Sequence, residues 1–188
     1  RMYQASRVCL KESTPKDLAK VKDYERITDN MQKEVTVFLC RVMQKPLSQA
    51  QSLHSQGMIK IVDEFESIAD YLDRIVSYQT KHPAKILVGK TEKEYFELMD
   101  EVWTFFQLCS SGVITDEKQN ISQIVSKSEE LRILADDLRN KHLKKVSEGD
   151  FDPLAALTYS DMVAALRKIR AHAMNVAHAI DMYQVRES

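Results

Sequence analysis

Apolar residues along this chain recur at alternating steps of three and four, over stretches much longer than a strand. Val21, Tyr24, Met31, Val35, Phe38 and Val42 keep that spacing, with Thr28 filling one place. Met58, Ile61, Phe65, Ile68, Leu72 and Ile75 repeat it, as do Met162, Leu166, Ile169, Ala173, Val176, Ile180 and Tyr183. A period of 3.6 puts each set on one helix face, whereas a half-buried strand needs alternation at every second position. No strand alternation of any length appears. Four glycines and four prolines among 188 residues leave few places where a helix must break. The pattern predicts an all-α chain of long antiparallel helices joined by short turns and packed as a bundle.

Residues 2–12 read as the tail of a helix anchored by Val8 and Leu10. Ser13-Thr14-Pro15 starts the next, with Thr14 as cap and Pro15 at the first position. That helix runs to about Gln44 and breaks at Lys45-Pro46. A third extends from about Ser48 to Thr80 and stops at Lys81-His82-Pro83. Thr91 and Glu94 have capping-box spacing and open a fourth, bearing Phe96, Met99, Val102, Trp103 and Phe106. Ser110-Ser111-Gly112 is expected to end it. A fifth runs from about Asp116 to Val146, with Ile121, Ile124, Leu131, Leu134 and Leu138 inward. Gly149-Asp150-Phe151-Asp152-Pro153 supplies a turn and the cap of the last.

Long helix, turn, long helix thus occurs twice. Shifting the third helix by 101 residues sets Ile61 on Met162, Phe65 on Leu166, Ile68 on Ile169 and Ile75 on Val176. Residues 1–82 are expected to form a first repeat with a truncated first helix, and residues 91–186 a second, together one unit.

The third helix carries a second pattern. Asp63, Glu66, Asp70 and Asp73 recur at three, four and three, which stacks four acids along one flank of the apolar seam. Like charges one turn apart repel by roughly 0.2–0.5 kcal/mol per pair. On the preceding helix Glu25 and Asp29 form another E-x-x-x-D beside its seam. Two readings stay open: an acidic face left in water or paired with Lys20, Lys22 and Lys33, or a carboxylate site for a hard cation, which prefers oxygen ligands. Under the 101-residue shift the four acids become Ala164, Arg167, Ala171 and Met174, so any such site is single.

Other chemistry finds little footing. A formal net charge of -1, with no basic run, argues against nucleic acid as a partner. Cys9, Cys40 and Cys109 are odd in number and widely spaced, as expected of free thiols in a reducing compartment. No stretch reaches the roughly 18 apolar residues of a membrane span, and no signal peptide is evident. His172 and His178 point to different sides of their helix, and His178 and Asp181 at i, i+3 could share a ligand or simply cap and hydrogen-bond, the second being the favoured reading. There is no E-x-x-H, no phosphate-cradling glycine loop and no nucleophile elbow. The opening at Arg1 has no helix start signal, and the chain reads as a piece of a longer protein.

The stretch from Val62 to Ile75 resembles the signature helix of the PhoU family: an apolar run around Glu66-x-x-x-Asp70, with Asp73-Arg74 one turn on. The preceding helix, Lys20 to Val42, is also similar, with Asp29 and Glu34 among its polar positions. The resemblance implies two tandem three-helix bundles. It also implies a divalent or trivalent metal ion at Asp63, Glu66, Asp70 and Asp73, with Glu25 and Asp29 contributing. Two departures set this chain apart: the second signature, at Arg167 to Ala171, lacks both acids, and the first helix is short. It therefore looks closest to the cytoplasmic C-terminal domain of bacterial sodium/phosphate cotransporters. The expectation is a non-catalytic regulatory domain at the cytoplasmic face of the inner membrane, modulating phosphate uptake. Its partner is then the membrane portion of the same chain or a phosphate transporter, with self-association open. A free-standing phosphate-signalling adapter is the alternative, and a metal-dependent carboxylate-bundle enzyme a third.

Overall fold

The computed structural model describes residues 1–188 apart from 13, 83–84, 116–119, 148–151 and 185–188, and apart from the side chains of 114, 145–147 and 183–184. Six helices contain most of the described residues: α1 (Met2–Glu12), α2 (Pro15–Met43), α3 (Gln49–Lys81), α4 (Gly89–Thr115), α5 (Ile121–Ser147) and α6 (Pro153–Gln184). The expected signals at Ser13, Pro83, Asp116 and 149–151, and the side chains of Val146 and Tyr183, lie outside the described residues.

Local chemistry sets most of the starts. Thr14 Oγ1 accepts from the Asp17 backbone N–H at 3.2 Å, and Pro15 occupies the first position. Ser48 forms a reciprocal capping box with Gln51. Asn120 and Asp152 accept from the N–H groups of Gln123 and Ala155, at 3.1 and 2.9 Å.

Helix α4 departs from expectation at both ends. It begins at Gly89, whose φ of +54° lies in the left-handed region that glycine enters without strain. Thr91 is consequently inside the helix and buried, not a cap. At the other end the helix runs through Ser110-Ser111-Gly112 to Thr115. Ser111 Oγ donates to the Leu108 carbonyl at 2.8 Å, and Thr115 Oγ1 to that of Ser111 at 3.2 Å, so these hydroxyls bond back along the helix instead of competing with it.

Helix α6 lies at the centre, against α3, α4 and α5, and its contact with α3 is the most extensive in the molecule. The two halves pack alike. In the first, α1 contacts α2 and α3, and α2 contacts α3; in the second, α4 contacts α5 and α6, and α5 contacts α6. The expected inward seam of α6 is buried from Met162 to Ile180. On α3, Ile61, Ile68, Leu72 and Ile75 are buried too. Tyr95, Leu98, Met99 and Phe105 of α4 and Tyr159 of α6 are almost wholly enclosed. Each large side chain buried this way contributes about 1.5–3 kcal/mol.

Short α1 is held by specific contacts. Tyr3 stacks on Trp103 with ring centroids 4.5 Å apart and planes 6° from parallel. Its hydroxyl donates to Asp100, which also takes two hydrogen bonds from Arg7, each 3.0 Å. Cys9 and Leu10 are fully buried.

Two seam expectations need correction. On α2, Val21 is buried, but Met31 and Phe38 are 60% and 64% exposed. Helix α1 is 11 residues long against 27 for its counterpart α4, so it leaves the C-terminal half of α2 uncovered on that flank. On α5, Leu134 is 40% exposed, because Leu131, Ala135 and Leu138 form the inward ridge.

Candidate functional site

Two cross-helix contacts fix how α2 and α3 face each other. Lys22 Nζ lies 2.5 Å from Asp73 Oδ2, and Gln32 Nε2 donates to Asp63 Oδ1 at 2.6 Å. Both belong to one antiparallel register, in which ten residues forward on α2 is ten back on α3. Between them, that register sets Glu25 opposite Asp70 and Asp29 opposite Glu66. The two E-x-x-x-D pairs therefore meet along one flank of the helix pair.

The field at Glu66 records this meeting. Its carboxyl is raised above the ordinary glutamate range, first by burial, then by the charges of Asp70 and Asp29 and, more weakly, Glu25; a hydrogen bond from Ser67 opposes the shift. Cations answer part of the remaining charge. Lys33 Nζ is 2.6 Å from Asp29, and Arg74 Nη2 is 2.7 Å from Asp70. Among the described residues no ion pair reaches Glu66 or Glu25.

The six acids thus divide. Glu25, Asp29, Glu66 and Asp70 line one seam. Asp73 closes one end, buried against Lys22 with its Oδ1 unpartnered. Asp63 is exposed at the other end. All offer oxygen, which suits a hard cation. Their side chains do not converge as ligands, however: among the described residues no three His, Cys, Asp or Glu groups are set to hold a metal ion. The carboxylates of Asp29 and Asp70 are turned to Lys33 and Arg74 instead.

Sequence spacing missed a pair on the opposite flank of α3. Glu64 Oε2 lies 2.6 Å from His172 Nδ1 on α6, and the His172 ring rests near Tyr71, centroids 5.5 Å apart. The partners are 108 residues apart, so no local motif announces them. His178 is exposed. Of the cysteines, Cys9 and Cys109 are buried and Cys40 is exposed, and burial pushes the Cys109 thiol up to about 12, away from reactivity.

An apolar cavity of about 310 Å³ opens on the other side of the α2–α3 pair, with Met31, Val35, Val62, Phe65 and Phe106 in its walls. Among the described residues no helix is long and apolar enough to cross a membrane. No family model, curated protein or solved structure matches this chain.

Proposed function

We propose that the chain is a non-catalytic, PhoU-like regulatory domain of a sodium/phosphate cotransporter, modulating phosphate uptake through contacts with the membrane portion. The observation that supports this reading most is the register of α2 and α3. It sets the Glu66–Asp70 pair, where the family resemblance is concentrated, against Glu25 and Asp29. The shared packing pattern of the two halves supports it as well. A seam holding four carboxylates and two paired cations carries net negative charge, which responds to cation concentration without any bond being made or broken.

The test is transport. The gene that encodes these residues is expressed in a bacterial strain lacking its own phosphate uptake, and sodium-dependent entry of labelled phosphate is measured. The intact product is compared with one lacking this segment. Sodium-dependent uptake whose response to external phosphate is lost with the segment is the expected result. Absence of such uptake from the intact product rejects the cotransporter reading. An effect that needs a separately encoded phosphate transporter assigns the chain to the adapter class.

A further inference from the structure

The second half of the molecule carries the opposite charge where the first has its acidic seam. The 101-residue shift that relates α3 to α6 sets Glu66 on Arg167 and Ala69 on Arg170. Helices α5 and α6 pack as α2 and α3 do, and Ser128, Glu129, Arg132 and Asp136 of α5 lie beside these two arginines. Asp136 bridges the helices, accepting from Arg132 Nη1 and Arg167 Nη1, each at 2.8 Å. Glu129 is held by Arg132 alone, through Nε at 2.9 Å and Nη2 at 2.6 Å. Three guanidiniums thus share two carboxylates.

Arg170 is the arginine left over. Its Nη1 donates to the Ser128 hydroxyl at 2.5 Å and to the Ser128 carbonyl at 3.3 Å, and among the described residues no carboxylate pairs with it. Its Nε is enclosed without a partner, whereas Nη2 is open and makes no hydrogen bond among the described residues. The guanidinium is held below the ordinary arginine range, first by burial and then by the charge of Arg167, with smaller contributions of both signs from Glu129, Arg132 and Asp136. Arg167 is 34% exposed and uses only Nη1 among the described residues. Two guanidiniums one turn apart on α6 therefore hold unused donors and an unmatched charge.

We propose that Arg167 and Arg170 bind a phosphate group on the α5–α6 seam. A guanidinium offers parallel N–H groups that match two oxyanion oxygens. A tetrahedral anion has oxygens enough for two such forks, where a carboxylate serves one. Asp136 and Ser128 hold the two side chains before the anion arrives, which lowers the ordering cost of binding. The anion supplies the negative charge that Arg170 lacks, and partial burial strengthens the attraction over that in water. A free phosphate ion and the phosphoryl end of a larger molecule share this chemistry. The proposal does not depend on the transporter reading.

Isothermal titration calorimetry of the 188-residue protein with inorganic phosphate, at ionic strength matched with sodium chloride, tests it. Saturable binding with a Kd of about 1 mM or tighter is expected, with acetate about tenfold weaker. Arg167→Gln and Arg170→Gln are each expected to weaken phosphate binding about tenfold with unchanged helical circular dichroism. Arg170→Lys, which keeps the charge and loses the fork, is expected to weaken it as well. Glu129→Gln releases Arg132 and is expected to tighten binding severalfold, a gain that misfolding cannot mimic. Glycerol 3-phosphate is the second titrant: affinity equal to that of inorganic phosphate assigns the phosphoryl end of a larger molecule, and binding of inorganic phosphate alone assigns the free ion. No saturable binding of either, acetate binding as tightly, or phosphate binding unchanged in both Gln variants of the arginines overturns the proposal.

Discussion

Lys22 on α2 places its ammonium 2.5 Å from Oδ2 of Asp73 on α3, and the aspartate is buried while the lysine is half in water. The other carboxylate oxygen of Asp73 is enclosed without a hydrogen-bond partner. That asymmetry makes the pair matter more for what happens when it is broken than for its Coulomb attraction. Lys22→Met is expected to destabilise the fold by about 1–3 kcal/mol, because it leaves a buried carboxylate unanswered. Adding Asp73→Leu to that variant should recover part of the loss. Urea denaturation of the two variants and the double variant checks this; equal and additive losses would show that the pair is not coupled.

Glu66 carries the opposite liability. Its folded-state carboxyl is raised by burial and by the neighbouring acids, so between its unfolded and folded pKa the native state holds more protons. Stability contributed by this group is present at low pH and is lost as pH rises through the raised value. Glu66→Gln should therefore stabilise the protein at neutral pH, by about 0.5 kcal/mol if two like-charge contacts are removed. It should also flatten the decline in stability between mildly acidic and neutral pH. Thermal melts across that range decide it, and a Glu66→Gln variant less stable than wild type at pH 7 contradicts the arrangement of acids described here.

Whether the seam attracts cations is a question separate from its electrostatic strain. Glu25, Asp29, Glu66 and Asp70 outnumber the two cations paired with them, Lys33 and Arg74. Millimolar calcium or manganese should raise the melting temperature of wild type, with about 1 kcal/mol of stabilisation at several times the Kd. The Glu66→Gln/Asp70→Asn variant should show no such rise. An equal rise in both would place the cation elsewhere.

The helices were legible because amphipathic spacing over 25 or more residues has no competing interpretation: α3 and α6 match their seams from Ile61 to Ile75 and from Met162 to Ile180. Met31 and Phe38 have the same spacing yet lie in water, since periodicity tells which face is apolar and not whether a neighbour exists to cover it. The ends of α4 depart from the sequence pattern for a local reason. Thr91, Ser110 and Ser111 are favoured at caps and turns, but their hydroxyls are also accommodated within a helix by bonds to the preceding turn or by burial. In the site, the one-flank placement of Asp63, Glu66, Asp70 and Asp73 followed from helix geometry alone. Their meeting with Glu25 and Asp29 required the inter-helix register, and the Glu64–His172 pair required the packing of the two halves.

The anchoring of α1 gives a pH dependence of the other sign. Burial alone would raise the Asp100 carboxyl, but hydrogen bonds from Arg7 and Tyr3, with the charges of Arg7 and Lys11, together hold it below the usual aspartate range. Its stabilisation is thus present above the unfolded pKa and is lost as pH falls through the lowered folded value. Asp100→Asn should weaken α1 docking at neutral pH and reduce the additional loss on acidification. Trp103→Ala, which removes the Tyr3 stack, should cost about 3 kcal/mol or more. Hydrogen exchange at the amides of α1 reports both, and slow exchange there in Trp103→Ala would show that the stack is not what holds the helix.

The most direct measurement is sodium-dependent uptake of labelled phosphate by the intact gene product, compared between wild type and Glu66→Gln/Asp70→Asn at matched expression. A regulatory surface, as proposed for these acids, lies off the transport path. Uptake is expected to persist in the variant and to change by about twofold or more, as a shifted conformational equilibrium requires. Uptake identical to wild type at every phosphate concentration, or no sodium-dependent uptake by the wild type, would contradict it.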